Sequence, residues 1–154
     1  MTFEAIAEVE PQAVLEVGCG EGELAERMVR ELDAEVVAID QSERMVELAR
    51  ERGVDARVGD VQQLPFEDAS FDVVAAAWML YHAPDIDGAV AELARVVRPG
   101  GRLVATTNTA DHLQEVFALA GLEAFDMTFR TENGAEILGR HFTHTSRREM
   151  RGGR

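Results

Sequence analysis

Ala13-Val14-Leu15-Glu16-Val17-Gly18-Cys19-Gly20-Glu21-Gly22 sets an apolar run of strand length directly before three alternating glycines, and Leu24, Ala25, Met28, Val29 and Leu32 then mark one face of a helix. This strand, glycine turn and helix form a unit that recurs along the chain. Val36 to Ile39 reads as a second strand, and Ser42 can cap a helix that buries Met45, Val46 and Ala49 before Gly53 stops it. Val54 to Val58 alternates as a third strand, Phe71 to Ala77 is a nearly uncharged fourth, and Arg102 to Thr107 is a fifth. Between the last two, a helix starting near Asp85 or Asp87 turns Ile86, Val90, Leu93, Ala94 and Val97 inward. It ends at Arg98-Pro99-Gly100-Gly101, which suits a type II turn. Beyond Thr107, Asp111 to Ala120 reads as a helix ended by Gly121, Thr131 as the cap of a short one, and His141 to Met150 as a sixth strand. Alternation of this kind builds an α/β protein: a doubly wound, mostly parallel open sheet of about six strands with helices on both faces. In such sheets ligands sit at the carboxyl ends of the strands, where the strand order reverses.

At 154 residues the chain is one ordinary domain, spanning 1–154, with a basic strand or tail over 140–154. The formal net charge is −14, and all 15 basic residues are arginine. Lysine-based Schiff-base chemistry and a lysine-type phosphate loop are therefore excluded, and so acidic a surface repels a nucleic-acid backbone. Residues 140–154 alone are basic, with Arg140, Arg147, Arg148, Arg151 and Arg154 against Glu149, an arrangement that suits either a frayed terminus or a dock for an acidic partner. The single cysteine, Cys19, permits no internal disulfide, which points to a reducing, cytoplasmic compartment. No membrane span or export signal is visible, and neither a metal-binding cluster nor a membrane partner is expected.

The glycine turn lets a ligand approach the backbone, although a bare tight turn would look the same. Asp40 closes the second strand 22 residues after Gly18, where a carboxylate can accept from both hydroxyls of a ribose. Its other reading is a charge at the start of the next helix. The dinucleotide fingerprint G-x-G-x-x-G would need glycine at position 23, which is Glu. Glu21 and Glu23 would also oppose a pyrophosphate at the helix N-terminus. A cationic cofactor fits them better, and S-adenosylmethionine carries a sulfonium and an ammonium with no phosphate.

Val14-Leu15-Glu16-Val17-Gly18-Cys19-Gly20-Glu21-Gly22 resembles the glycine motif of class I S-adenosylmethionine-dependent methyltransferases. Four further stretches match that family in order: Val37-Ala38-Ile39-Asp40-Gln41-Ser42, Gly59-Asp60-Val61-Gln62-Gln63-Leu64-Pro65-Phe66, Ser70-Phe71-Asp72-Val73-Val74, and Leu93-Ala94-Arg95-Val96-Val97-Arg98-Pro99-Gly100-Gly101. The likeness covers about residues 12 to 107 and is nearest to the small-molecule enzymes of the ubiquinone and menaquinone type. It implies a Rossmann-like fold and S-adenosylmethionine as cofactor. By the same resemblance, Gly18 and Gly20 pass under the methionine part and Glu16 organises its ammonium. Asp40 holds the ribose, while Gln41 and Met45 flank the adenine. Asp60 accepts from the adenine amino group, the backbone of Val61 faces the ring edge, and Ala77 offers a carbonyl to the ammonium. Met45 reads equally well as helix core and Asp60 as a turn cap.

Trp78-Met79-Leu80-Tyr81-His82 follows the fourth strand, beside where the transferred methyl would lie, so Trp78, Tyr81 and His82 are the substrate-pocket residues. His82 could serve as a base and Tyr81 as an orienting group, or both could simply cap and pack the loop. No catalytic residue is assigned, because methyl transfer from a sulfonium needs little beyond an in-line approach. Twelve residues precede Ala13 and 47 follow Thr107, whereas family members carry further N-terminal helices and a seventh, antiparallel strand. A sixth strand beside the fifth, or a homodimer through that sheet edge, would cover it. The functional expectation is methyl transfer to a small-molecule acceptor; the alternative is a shortened domain that binds S-adenosylmethionine without catalysis.

Overall fold

The computed structural model describes residues 2–107, 129 and 131–148. Its elements run α1 (Thr2–Ala7), β1 (Ala13–Val17), α2 (Glu23–Glu31), β2 (Glu35–Asp40), α3 (Glu43–Glu51), β3 (Asp55–Val58), β4 (Phe71–Ala77), a 3-10 turn (Leu80–His82), α4 (Ile86–Val96), β5 (Val97–Thr106) and α5 (Thr131–Gly139). Five strands form one parallel sheet in the order β3-β2-β1-β4-β5. The order reverses between β1 and β4, so the crevice expected of such a sheet opens beyond the carboxyl ends of those two strands.

Successive side chains on a strand point to opposite faces, and in β1 both faces are apolar. Leu15 and Val17 pack into a cluster with Val90 and Leu93 of α4 and Ile137 of α5. Val14 packs on the other face with Phe3 and Ile6 of α1, Met28 of α2 and Val46 of α3. The expected helices on both faces are thus present. Ser42 caps α3, its hydroxyl accepting from Met45 N at 3.3 Å, and Asp85 caps α4 by accepting from Gly88 N at 3.0 Å. Arg95 of α4 donates to the carbonyls of Leu64 and Phe66 and to Glu92 and Asp68, pinning the segment between β3 and β4 to α4.

Several boundaries differ from the sequence reading. β5 begins at Val97 rather than Arg102, because Val97 already pairs with Phe71; the ladder then slips so that Arg102 faces Val73. Gly100 lies at φ +79°, as the third residue of a type II turn requires. No strand occurs over residues 141–148: Phe142 packs on the core, but residues 143–148 are exposed and polar, without the apolar alternation that would bury a strand face. The helix expected over 111–120 lies outside the described residues. Among the described residues no helix is long and apolar enough to cross a membrane.

Candidate functional site

An open cleft of about 600 Å³ lies at the carboxyl ends of β1 and β4, lined by Thr2, Glu16, Gly18, Cys19, Gly20, Glu21, Glu23, Leu24, Ala77 and Trp78. The loop after β1 is shaped by its contacts with β2. The amides of Gly18 and Cys19 both donate to the Ile39 carbonyl, at 2.8 and 3.0 Å. Gly18 has φ +70°, and a Cβ built there would stand 2.7 Å from Met79 Cβ, so its glycine serves close packing within the protein. Gly20 has φ +55° and nothing within 4 Å of a built Cβ. Here the backbone faces open space, the condition for a ligand to lie against it.

Asp40 ends β2 and ties the loop to α3. Its Oδ2 accepts from Gly20 N and its Oδ1 from Ser42 N, each at 2.9 Å. The reading of Asp40 as a charge at the start of the next helix is therefore visible, and each oxygen keeps a further lone pair.

Glu16 is the strongest electrostatic feature. It is 3% exposed, and its Oε2 has no hydrogen-bond partner. Burial pushes its carboxyl up to about 8, the nearby charge of Asp40 adds to this, and a bond from the Ala25 amide opposes it. Cys19 is buried alongside. Burial first, then the charges of Glu16 and Asp40, push its thiol up to about 12, so it stays an unreactive thiol. Among the described residues no basic side chain lines the cleft. Arg52 lies 3.9 Å from both Glu21 and Glu23.

Of the residues singled out in the sequence, Glu16, Gly18, Gly20, Ala77 and Trp78 meet at the cleft, and Asp40 reaches it through Gly20. Gln41, Met45, Asp60, Val61 and His82 are not among the residues that line it. Gln41 is exposed, and Met45 is half-buried in the first turn of α3. Asp60 is exposed and caps a turn by accepting from Gln62 N at 2.8 Å, while the Val61 side chain is buried in the core. Tyr81 and His82 lie in the 3-10 turn, where His82 is exposed and its amide donates to the Met79 carbonyl. Thr2 was missed. Its hydroxyl lies 2.9 Å from that of Thr106 at the end of β5, which brings the first residue of α1 to the cleft wall. No periodicity or motif at the N-terminus signals that contact.

Residues 15–105 match the family described as Methyltransferase domain. The chain belongs to this family. It is 47% identical over 98 residues to the 27-O-demethylrifamycin SV methyltransferase of Amycolatopsis mediterranei, an alignment covering 58% of this chain and 36% of that protein. It is 42% identical over 114 residues to the ubiquinone biosynthesis O-methyltransferase of Xanthomonas oryzae pv. oryzae, covering 70% and 46%. The matching stretch of this chain thus spans less than half the length of these relatives. Among solved structures, an S-adenosylmethionine-dependent methyltransferase from Thermotoga maritima superposes with a TM-score of 0.74 at 24% identity, over 91% of this chain and 68% of that one, a likeness of fold.

S-adenosylmethionine is the cofactor of the family, and the cleft's donor set fits it. A buried carboxyl oxygen without a partner and two further carboxylates suit a ligand that carries an ammonium and a sulfonium. The space over Gly20 leaves room for its chain to pass.

Proposed function

We propose that this domain holds S-adenosylmethionine in the cleft between β1 and β4 and directs its methyl group to a small-molecule acceptor. The observation that carries the reading is the unpartnered, buried Oε2 of Glu16, a residue that lines the cleft together with Glu21 and Glu23. When bound, the cofactor supplies an activated methyl on a sulfonium whose departure leaves a neutral thioether.

The chain's part is to bind, orient and exclude water. Glu16 receives the ammonium together with the Ala77 carbonyl, and Gly18 and Gly20 pass beneath the methionine part. Asp40 uses its remaining lone pairs for the ribose while its bonds to Gly20 and Ser42 keep the loop and α3 in register. Gln41, Met45, Asp60 and the backbone of Val61 border the adenine. Trp78, Tyr81 and His82 stand on the acceptor side, after β4. The O-methyltransferases among the relatives favour an oxygen acceptor. Among the described residues β5 pairs only with β4, and a second copy of the chain is the proposed cover for its outer edge.

Incubation with methyl-labelled S-adenosylmethionine and a set of small phenols and catechols tests the reading. Acceptor-dependent label transfer is expected. Cofactor binding without transfer to any acceptor would favour a domain that binds the cofactor without catalysis.

A further inference from the structure

Gly18 lines the cleft, and the space a side chain would take there is already filled by Met79. A Cβ built on Gly18 stands 2.7 Å from Met79 Cβ, 2.8 Å from its Cγ and 3.4 Å from its Cε. Met79 itself is not among the residues that line the cleft. It is half-buried and packs against the core cluster that holds Leu15 and Val17 of β1 and Leu80 of the 3-10 turn. The glycine loop is therefore supported from two sides. On the β2 side the Ile39 carbonyl accepts from the Gly18 and Cys19 amides, and Asp40 accepts from Gly20 N. On the β4 side the support is the Met79 side chain, an unbranched thioether lying against the Gly18 backbone.

The chain after β4 is bent to place it. Trp78 lies at φ +59°, a left-handed conformation that a bulky residue adopts at a conformational cost, and its amide is tied to the Thr106 carbonyl at 3.0 Å. Met79 follows at φ −129°, and its carbonyl accepts from the His82 amide at 3.0 Å, closing the 3-10 turn Leu80–His82. One residue thus touches the glycine loop with its side chain and holds, with its backbone, the turn that carries Tyr81 and His82. Close-packed atoms yield little, so a contact of this kind passes a displacement from one element to the other.

We propose that Met79 is a positioning residue: it sets the height of the glycine loop under the cofactor and couples that loop to the turn Leu80–His82, so that filling the cleft firms the turn on the acceptor side. This rests on the cofactor reading above and deepens it, because it joins the two halves of the site through a side chain that acts by way of Gly18. Exchange in so short a turn is governed by local opening rather than by global unfolding, so a change there reports the coupling and not the general stabilisation that any bound ligand gives.

The experiment titrates the whole chain with S-adenosylmethionine by calorimetry and follows amide hydrogen exchange over residues 80–83 with and without saturating cofactor, in the wild type, Met79→Ala and Met79→Leu. Urea unfolding without ligand reads the stability of each separately. In the wild type the cofactor should slow exchange of the His82 amide several-fold, although His82 is not among the residues that line the cleft. Met79→Ala keeps Cβ but loses the contacts of Cγ and Cε with Gly18; it should bind the cofactor about fivefold more weakly and lose the slowing at His82 even when saturated. Met79→Leu keeps Cβ and Cγ and should retain most of both effects. A Met79→Ala protein with a lower urea midpoint but wild-type affinity and wild-type slowing would overturn the proposal and leave Met79 a core side chain alone. The wild-type exchange measurement needs no variant, and unchanged exchange at His82 on saturation would overturn the proposal as well. If the folded wild type binds no cofactor, the cofactor reading itself fails, an outcome distinct from binding without any change at His82.

Discussion

Replacing Glu16 with Gln removes a carboxyl group that is 3% exposed, lacks a partner for Oε2 and is pushed up to about 8 from an ordinary value of 4.5. The unfolded chain releases this proton near the ordinary value, whereas the folded chain retains it to about pH 8, so the folded state holds the extra proton across that window. The stability associated with the group is therefore complete below about pH 4.5 and is lost as the pH rises toward 8. One pH unit corresponds to about 1.4 kcal/mol, so the window of roughly 3.5 units amounts to about 5 kcal/mol. Glutamine has the same shape and does not ionise. Urea unfolding of both proteins at steps from about pH 5 to pH 8 should show the variant gaining on the wild type by several kcal/mol, with most of the gain below pH 8. The Cys19 thiol, pushed up to about 12, ionises above this range and does not confuse it. Stability curves that run parallel across the range would refute the reasoning, because they would mean that the carboxyl is either solvated or paired in the folded protein.

The two glycines of the loop should separate packing from binding. Gly18→Ala sets a Cβ 2.7 Å from Met79 Cβ at a left-handed φ and should cost about 3 kcal/mol in urea unfolding, whereas Gly20→Ala meets no atom within 4 Å and should cost about 1 kcal/mol. Cofactor affinity should show the reverse pattern in the folded fraction, since only the Gly20 methyl projects into the cleft. Ser42→Ala removes the bond to Met45 N and should lower stability by about 1 kcal/mol, read as a shifted urea midpoint. Arg95→Leu leaves the carbonyls of Leu64 and Phe66 without their donor and should cost about 2 kcal/mol; a smaller loss than Ser42→Ala would show that the segment before β4 is held by other contacts.

β1, β2 and β4 were legible as short apolar runs set off by turn residues, because a parallel sheet buries both faces of its central strands, and β3 as an alternating edge strand. Val97 was read as the end of a helix, since an apolar residue after Leu93 satisfies helical spacing, but its pairing with Phe71 makes it strand. Such pairing depends on partners distant in sequence. Helix α1 was passed over, although Phe3 and Ile6 stand three apart and both are buried. The site divided in the same way. Glu16, Gly18, Gly20, Asp40 and Ala77 sit at the ends of strands, so reading the strands correctly put them at one rim. Thr2 reaches that rim only through the packing of α1 on β5, which no local pattern encodes. The unpaired state of Glu16 Oε2 is equally a product of the assembled core, even though the residue itself was singled out.

Calorimetric titration of the chain with S-adenosylmethionine, repeated on Asp40→Ala, tests the central claim most directly. The account predicts one site per chain in the wild type, with binding weakened at least tenfold in the variant, because Asp40 holds Gly20 in place and is the residue proposed to contact the ribose. No heat of binding to a folded wild-type chain would contradict it, as would an Asp40→Ala protein that binds as tightly as the wild type.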